Sequence, residues 1–348
     1  RAYATFDTRS QTQYGTLRSY FVAGGTTDNG GLVGAYMYRA FIQFAGFTWG
    51  LADSIFDAYA ITPVHLDYVV ATNGSIGATG IWQWRYTALF GNGFSAAVAV
   101  EEPTTRSKPI ATSAVAATAR KGATYPDVVA ELGASGKWGH VQTAFAISDA
   151  STVGAPIVPG VPSVDKTGWA AMVGGIIKVP GMVGDNFGFQ FTYAKGATDY
   201  VAGNANTAAG GQFRTVKGGT TTTGFVTDGV VVGGGVDLTK AWGFEAGYEH
   251  HWTKAVKTSL AGGYVSIEYS GAAAAVLCGG VAACSPNTSF YNIGSRTQWT
   301  PVENLNLALN IMYTHMNGST AGGAAAGTVL GDANIWTGLI RVRRDFWP

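Results

Sequence analysis

Apolar and polar residues alternate along most of this 348-residue chain, in runs of about ten residues. Over 305–316 the odd positions are Leu305, Leu307, Leu309, Ile311 and Tyr313, and the even ones Asn306, Ala308, Asn310, Met312 and Thr314. A period of two belongs to a strand whose two faces meet unlike surroundings. The pattern returns at 82–90, 94–101, 187–195, 291–300 and 336–346, so it describes a whole sheet with one face against an apolar medium.

Composition sharpens this. Only 12% of residues are charged, against about 25% in an average soluble domain. No stretch is long and apolar enough for a transmembrane helix, and the longest candidate, 271–284, is short and rich in Gly and Ala. In hydrocarbon every backbone polar group must be paired internally, which leaves a closed antiparallel β-barrel as the other spanning solution. All-β barrels of this length form one unit, so residues 1–348 read as a single domain. The net charge of +1, from 22 basic and 21 acidic residues, gives no reason to expect a nucleic-acid partner.

Alternation set against turn signals predicts strands at 1–9, 14–23, 35–45, 47–53, 79–90, 94–102, 126–134, 138–149, 168–179, 187–196, 230–252, 256–270, 289–300, 305–317 and 334–347, fifteen in all. Of these, 230–252 is the least regular, because 230–240 can equally belong to the preceding loop. Connections are short and long in turn, the asymmetry of outer-membrane barrels with tight periplasmic turns and longer outer loops. Such barrels have an even strand number. The expectation is therefore sixteen strands in the intact protein, about fifteen of them in this chain, with an N-terminal strand and a signal peptide upstream of Arg1.

The aromatics fit a membrane band. Trp82 and Phe90, Tyr291 and Trp299, Trp242 and Trp252, and Trp336 and Phe346 pair up on the apolar parity of single strands. Eight to ten residues at roughly 3.3 Å each, tilted by about 40°, span roughly 20–25 Å, the height between two aromatic girdles.

If the apolar parity faces lipid, the other faces a lumen. It carries Arg18, Arg39, Arg85, Lys178, Arg296, Arg341 and Arg343, with Asp7, Glu101, Glu131, Glu245 and Glu249. A charge on the lipid side near the midplane would cost about 2–4 kcal/mol, so a charged parity means a hydrated interior. Connection 54–78, with its approach at 51–53, mixes Asp53 and Asp57 with Ile55, Phe56 and Tyr59. An outer loop gains little from such apolar anchors. A loop folded into the lumen can seat them on the wall and set its acids opposite Arg18, Arg39 and Arg85, giving a transverse field at a constriction.

Other chemistry is sparse. Cys278 and Cys284, close together in the loop at 271–288, read as a disulfide of an exported protein. None of the five histidines has metal-ligand spacing, and no nucleophile elbow, P-loop or Cys-x-x-Cys occurs, so neither an enzyme nor a metal or cofactor is expected.

Several segments resemble a known family: Gly15-Thr16-Leu17-Arg18-Ser19-Tyr20, Gly91-Asn92-Gly93-Phe94-Ser95-Ala96-Ala97, Gly294-Ser295-Arg296-Thr297-Gln298-Trp299-Thr300-Pro301, and the ending Arg341-Val342-Arg343-Arg344-Asp345-Phe346. In collinear order they resemble the alphaproteobacterial, Rhizobiales-type outer-membrane porins. The resemblance implies a sixteen-strand homotrimeric barrel in the outer membrane of a Gram-negative bacterium, in contact with its lipid and lipopolysaccharide. It also implies a third loop, here 54–78, that narrows the pore, and passive diffusion of small hydrophilic solutes. Such barrels usually finish on an aromatic residue, whereas Trp347-Pro348 follow Phe346 here. Small outward residues such as Ala2, Ala4 and Ser19 would suit packing against another barrel. The alternative function is a solute-specific channel for a sugar or organic acid. Tyr3, Tyr20 and Phe41 are the aromatic exceptions on the inner parity, too few in sequence to make a continuous track.

Overall fold

In the computed structural model, which describes residues 2–28, 32–58, 80–113, 120–122, 124–154, 162–203, 207–208, 212–214, 222–279, 284–317 and 332–346, fifteen strands form one sheet. Every strand pairs antiparallel with its neighbours in the chain. They are β1 (Ala2–Thr12), β2 (Gly15–Asp28), β3 (Leu32–Phe44), β4 (Phe47–Ala52), β5 (Ile81–Gly91), β6 (Phe94–Glu101), β7 (Asp127–Gly136), β8 (Gly139–Asp149), β9 (Thr167–Lys178), β10 (Asn186–Lys195), β11 (Lys240–His251), β12 (Val256–Glu268), β13 (Thr288–Val302), β14 (Leu305–Asn317) and β15 (Ala333–Arg344). Fourteen expected strands lie near their expected bounds, and the fifteenth, 230–252, contributes only Lys240–His251 to the sheet. Among the described residues no ladder joins β1 to β15, so these two strands do not close a fifteen-strand ring.

Tight turns hold one end of the sheet. Ala45 and Gly46, between β3 and β4, both take positive φ (49° and 85°), the twist a two-residue hairpin requires. In the turn between β5 and β6, Gly91, Asn92 and Gly93 all have positive φ, and a side chain on Gly93 would run into the backbone of Ser135.

The apolar parity is the outward one. Leu89 is 81% exposed, Ile340 78% and Trp84 72%, alongside most of the paired aromatics. Water would not tolerate so continuous an apolar face.

The irregular segment 230–252 resolves into two elements. Residues 229–232 and 235–238 form a hairpin across Gly233 and Gly234, the chain breaks at Thr239, and β11 begins only at Lys240. The Gly-Gly pair, with Gly233 at φ 59°, supplies the turn that ends the alternation. This hairpin also pairs in parallel with Ile110 and Ala111 from a different connection. Within 271–288, expected to be a plain loop, Gly271–Leu277 forms a short helix, α1, capped by the Ser270 hydroxyl, which accepts from Ala273 N at 3.1 Å. The Cys278–Cys284 disulfide follows it.

Candidate functional site

After β4 the chain runs over the inner face of the sheet. Wall side chains from four strands hold the segment 53–58. Gln83 of β5 donates to the Asp53 carbonyl (2.8 Å), and Gln142 of β8 donates to the Ile55 carbonyl (3.1 Å). Ser54 donates to the Glu101 carboxylate of β6 (2.9 Å), and Ala58 N donates to Gln190 of β10 (3.2 Å). A side chain on Gly174 of β9 would sit 2.7 Å from the Ala58 methyl, so the glycine makes room for this approach. Residues 59–78 of the expected constriction loop lie outside the described residues.

Asp57 was expected to face the pore. It is instead 9% exposed, and both its oxygens accept from Nη2 of Arg106 at 2.9 Å. Arg106 sits on a short 3₁₀ turn after β6 and has no exposed surface in its side chain. Its guanidinium lies 4.6 Å from the Tyr200 ring centre. Tyr200 packs edge-on against Phe56 at 4.5 Å and donates to Asp127 at 2.8 Å. Burial opposes the charge of Arg106, yet Asp57, Tyr200, Glu101 and Asp199 together outweigh it and hold the guanidinium protonated, above its ordinary pKa. Burial pushes the Tyr200 hydroxyl well above its usual range, so it stays a donor. Two more ion pairs extend the network, Lys108 with Asp199 (2.6 Å) and Arg120 with Asp228 (2.6 Å). Asp228 also accepts from the Thr198 and Lys108 backbone N–H groups. Nothing in the sequence marked Arg106, because a lone arginine after Pro103-Thr104-Thr105 reads as an ordinary solvated loop residue.

Around this network lies an apolar core built inside the sheet. Loop side chains Ile55, Phe56, Tyr200, Val201, Val226 and Val230 rest on small inward residues of the wall, among them Ala97, Ala99, Ala144, Ala146, Ala170, Ala194 and Ala241. On β6 to β11 the inner parity is thus a seat for loops as well as a water-facing surface.

The remaining expected residues fall on the other part of the wall. Arg39 pairs directly with Asp53. Arg18 donates through Nε and Nη2 to the two oxygens of Asp7 (2.8 and 3.0 Å) and through Nη1 to Gln43 (3.0 Å), so its acid comes from β1 instead of the loop. Arg85 donates to Thr48 Oγ1 (3.2 Å) within reach of the charges of Glu101 and Glu131. Glu101 is buried against Ser54 and not open to the lumen. Arg296 and Arg341 stand close enough to repel one another; Arg341 donates to Asn306 (3.2 Å) and Arg343 to Asp345 (2.8 Å). Among the described residues no group of three or more His, Cys, Asp or Glu could hold a metal ion.

A sheet with a lipid-facing outer side, a charged inner side and loops lowered onto that inner side defines a membrane channel of the all-β class. The chain belongs to the porin subfamily, whose family model matches residues 1–339. No curated protein matches it. Solved structures with the same fold include the outer membrane channel DcaP of Acinetobacter baumannii, with 15% identity, 98% of this chain and 84% of that one covered, and a TM-score of 0.67. The trimer form of in-vitro folded OmpT from Vibrio cholerae has 12% identity, coverage of 98% and 90%, and a TM-score of 0.52. The protein is an outer-membrane channel of a Gram-negative cell through which solutes diffuse passively.

Proposed function

We propose that the channel is a general-diffusion porin with a weak preference for anions. The observation that carries this reading is the segment 53–58, fastened by four wall strands with Asp53 on Arg39 and Asp57 on Arg106. Connection 54–78 then continues as the third loop that narrows the pore. Both of its leading acids are held by arginine partners, and the inner parity carries further arginine, Arg85 and Arg341 among them. The ends β1 and β15 belong to a closed sixteen-strand barrel, and the barrel belongs to a homotrimer embedded in lipid and lipopolysaccharide; the trimeric form of the similar OmpT supports that assembly. The motifs around Arg18, Gly91 to Ala97 and Arg296 support an origin among the alphaproteobacterial porins. No step of this function needs an enzyme or a cofactor.

Reversal potential and conductance in planar bilayers test it. A large conductance that rises in proportion to salt, with a modest reversal potential of the anion-selective sign, is expected. Small, salt-saturating steps overturn the general-diffusion reading in favour of a solute-specific channel, and a cation-selective sign overturns the account of the charges.

A further inference from the structure

We propose that the inner wall of β1, β2 and β3 carries a weak binding strip for the rings of an uncharged carbohydrate; this rests on the reading of the protein as an open diffusion channel. Strand register puts inner residues of the three strands side by side in successive rows. Tyr3, Gly24 and Tyr36 form one row, then Thr5, Val22 and Arg39, then Asp7, Tyr20 and Phe41, then Arg9, Arg18 and Gln43. Aromatic and charged rows alternate.

In the upper aromatic group Tyr36 and Tyr38 have ring centres 4.3 Å apart, and Tyr3 meets Tyr38 edge-on at 5.9 Å. A side chain on Gly24 would press on Tyr3, its Cβ within 2.6 Å, so the glycine keeps a floor between the tyrosines. In the lower group Tyr20 and Phe41 stack at 5.1 Å, with the Arg18 guanidinium 4.8 Å from one ring centre and 5.6 Å from the other. The two groups are four residues apart on β1, about 13 Å along the strand. Between them stands the Arg39–Asp53 pair, at the point where the chain leaves β4.

Chemistry selects the occupant. Apolar ring faces beside bidentate charged groups match a pyranose, which offers C–H surface on its faces and hydroxyl groups around its edge. The strip's cations are already matched, Arg18 by Asp7 and Arg39 by Asp53. A carboxylate would have to displace those acids, whereas a hydroxyl can accept from the arginine and donate to the acid together.

Maltotriose added to the full-length protein in a planar bilayer tests the proposal. Concentration-dependent current noise from brief partial blocks is expected, with the Tyr20→Ala/Phe41→Ala variant about tenfold weaker in maltotriose affinity, the equivalent of about 1.4 kcal/mol. Its conductance in salt alone is recorded first, so that the sugar-dependent noise is read against the variant's own baseline. The Tyr20→Leu/Phe41→Leu variant, which keeps bulk and removes the ring faces, should lose affinity in the same way and serves if the alanine variant does not insert. No maltotriose-dependent noise, affinity unchanged in both variants, or stronger block by benzoate than by maltotriose each overturns the strip. The general-diffusion reading fails separately, on salt conductance measured before any sugar is added.

Discussion

The inner wall along β6 to β11 and the inner wall along β1 to β3 have the same strand geometry and the same polarity alternation, yet they do opposite things. On the first, alanines at inward positions let Phe56, Tyr200 and Val201 come down onto the sheet and form a core. On the second, inward Tyr20, Phe41, Arg18 and Asp7 hold one another and no described loop core covers them. Side-chain size at the inward parity therefore decides where the lumen is filled and where solutes can pass. Charge does not follow that division, since Arg18 with Asp7 and Arg39 with Asp53 are closed pairs as well. The filled part buries its ions in closed pairs such as Asp57 with Arg106, whereas Arg296 and Arg341 on the further strands β13 and β15 stand together as like charges.

The contrast breaks most sharply at Asp57. Asp57→Ala removes the carboxylate that pairs with the fully buried Arg106, a loss of about 3–5 kcal/mol for a broken buried pair. Segment 53–58 should then detach from its anchor. Conductance should rise and become noisy, and protease should cut near 54–78 where the parent resists; an unchanged, quiet conductance would mean that the network does not hold the loop. Gly174→Val should have an intermediate effect, because the new side chain collides with Ala58 at a position already within 2.7 Å. A widened pore with the sheet's thermal stability retained is the expected signature in paired conductance and heat-denaturation measurements.

The smallest effect belongs to the turn before β10. His250 first, then Tyr248 and the His251 backbone N–H, donate to Asp185 and hold its carboxyl below the usual carboxylate range. A depressed folded value contributes stability that is full above the unfolded carboxylate pKa of about 3.9 and fades as pH falls from there toward the lower folded value. In urea unfolding the difference between parent and Asp185→Asn should be largest at neutral pH and shrink in acid; a difference that grows in acid would reverse the assignment.

The architecture was legible because one rule, period two, ran through the whole sheet, and turn residues such as Gly91-Asn92-Gly93 punctuated it. It failed where a second hairpin imitated the rule, at 229–238, since strands in a loop alternate just as strands in a wall do. Parity and loop position singled out both Asp53 and Arg39, though as charges on facing sides and not as a direct pair. The burial of Asp57 was not readable, because its partner Arg106 lies 49 residues away in a different connection with no pattern of its own. Alanine at inward positions was the one available signal of the loop core, and it reads equally well as a featureless pore lining.

The fastenings inside the lumen tie together parts of the chain that are made at different times. Ala58 N bonds to Gln190 across 132 residues, Tyr200 to Asp127 across 73, and Lys108 N to Asp228 across 120. Contacts so distant in sequence form late. The seat of segment 53–58 can be completed only after β10 and the hairpin beyond it have arrived, so during assembly that segment waits without its last fastenings.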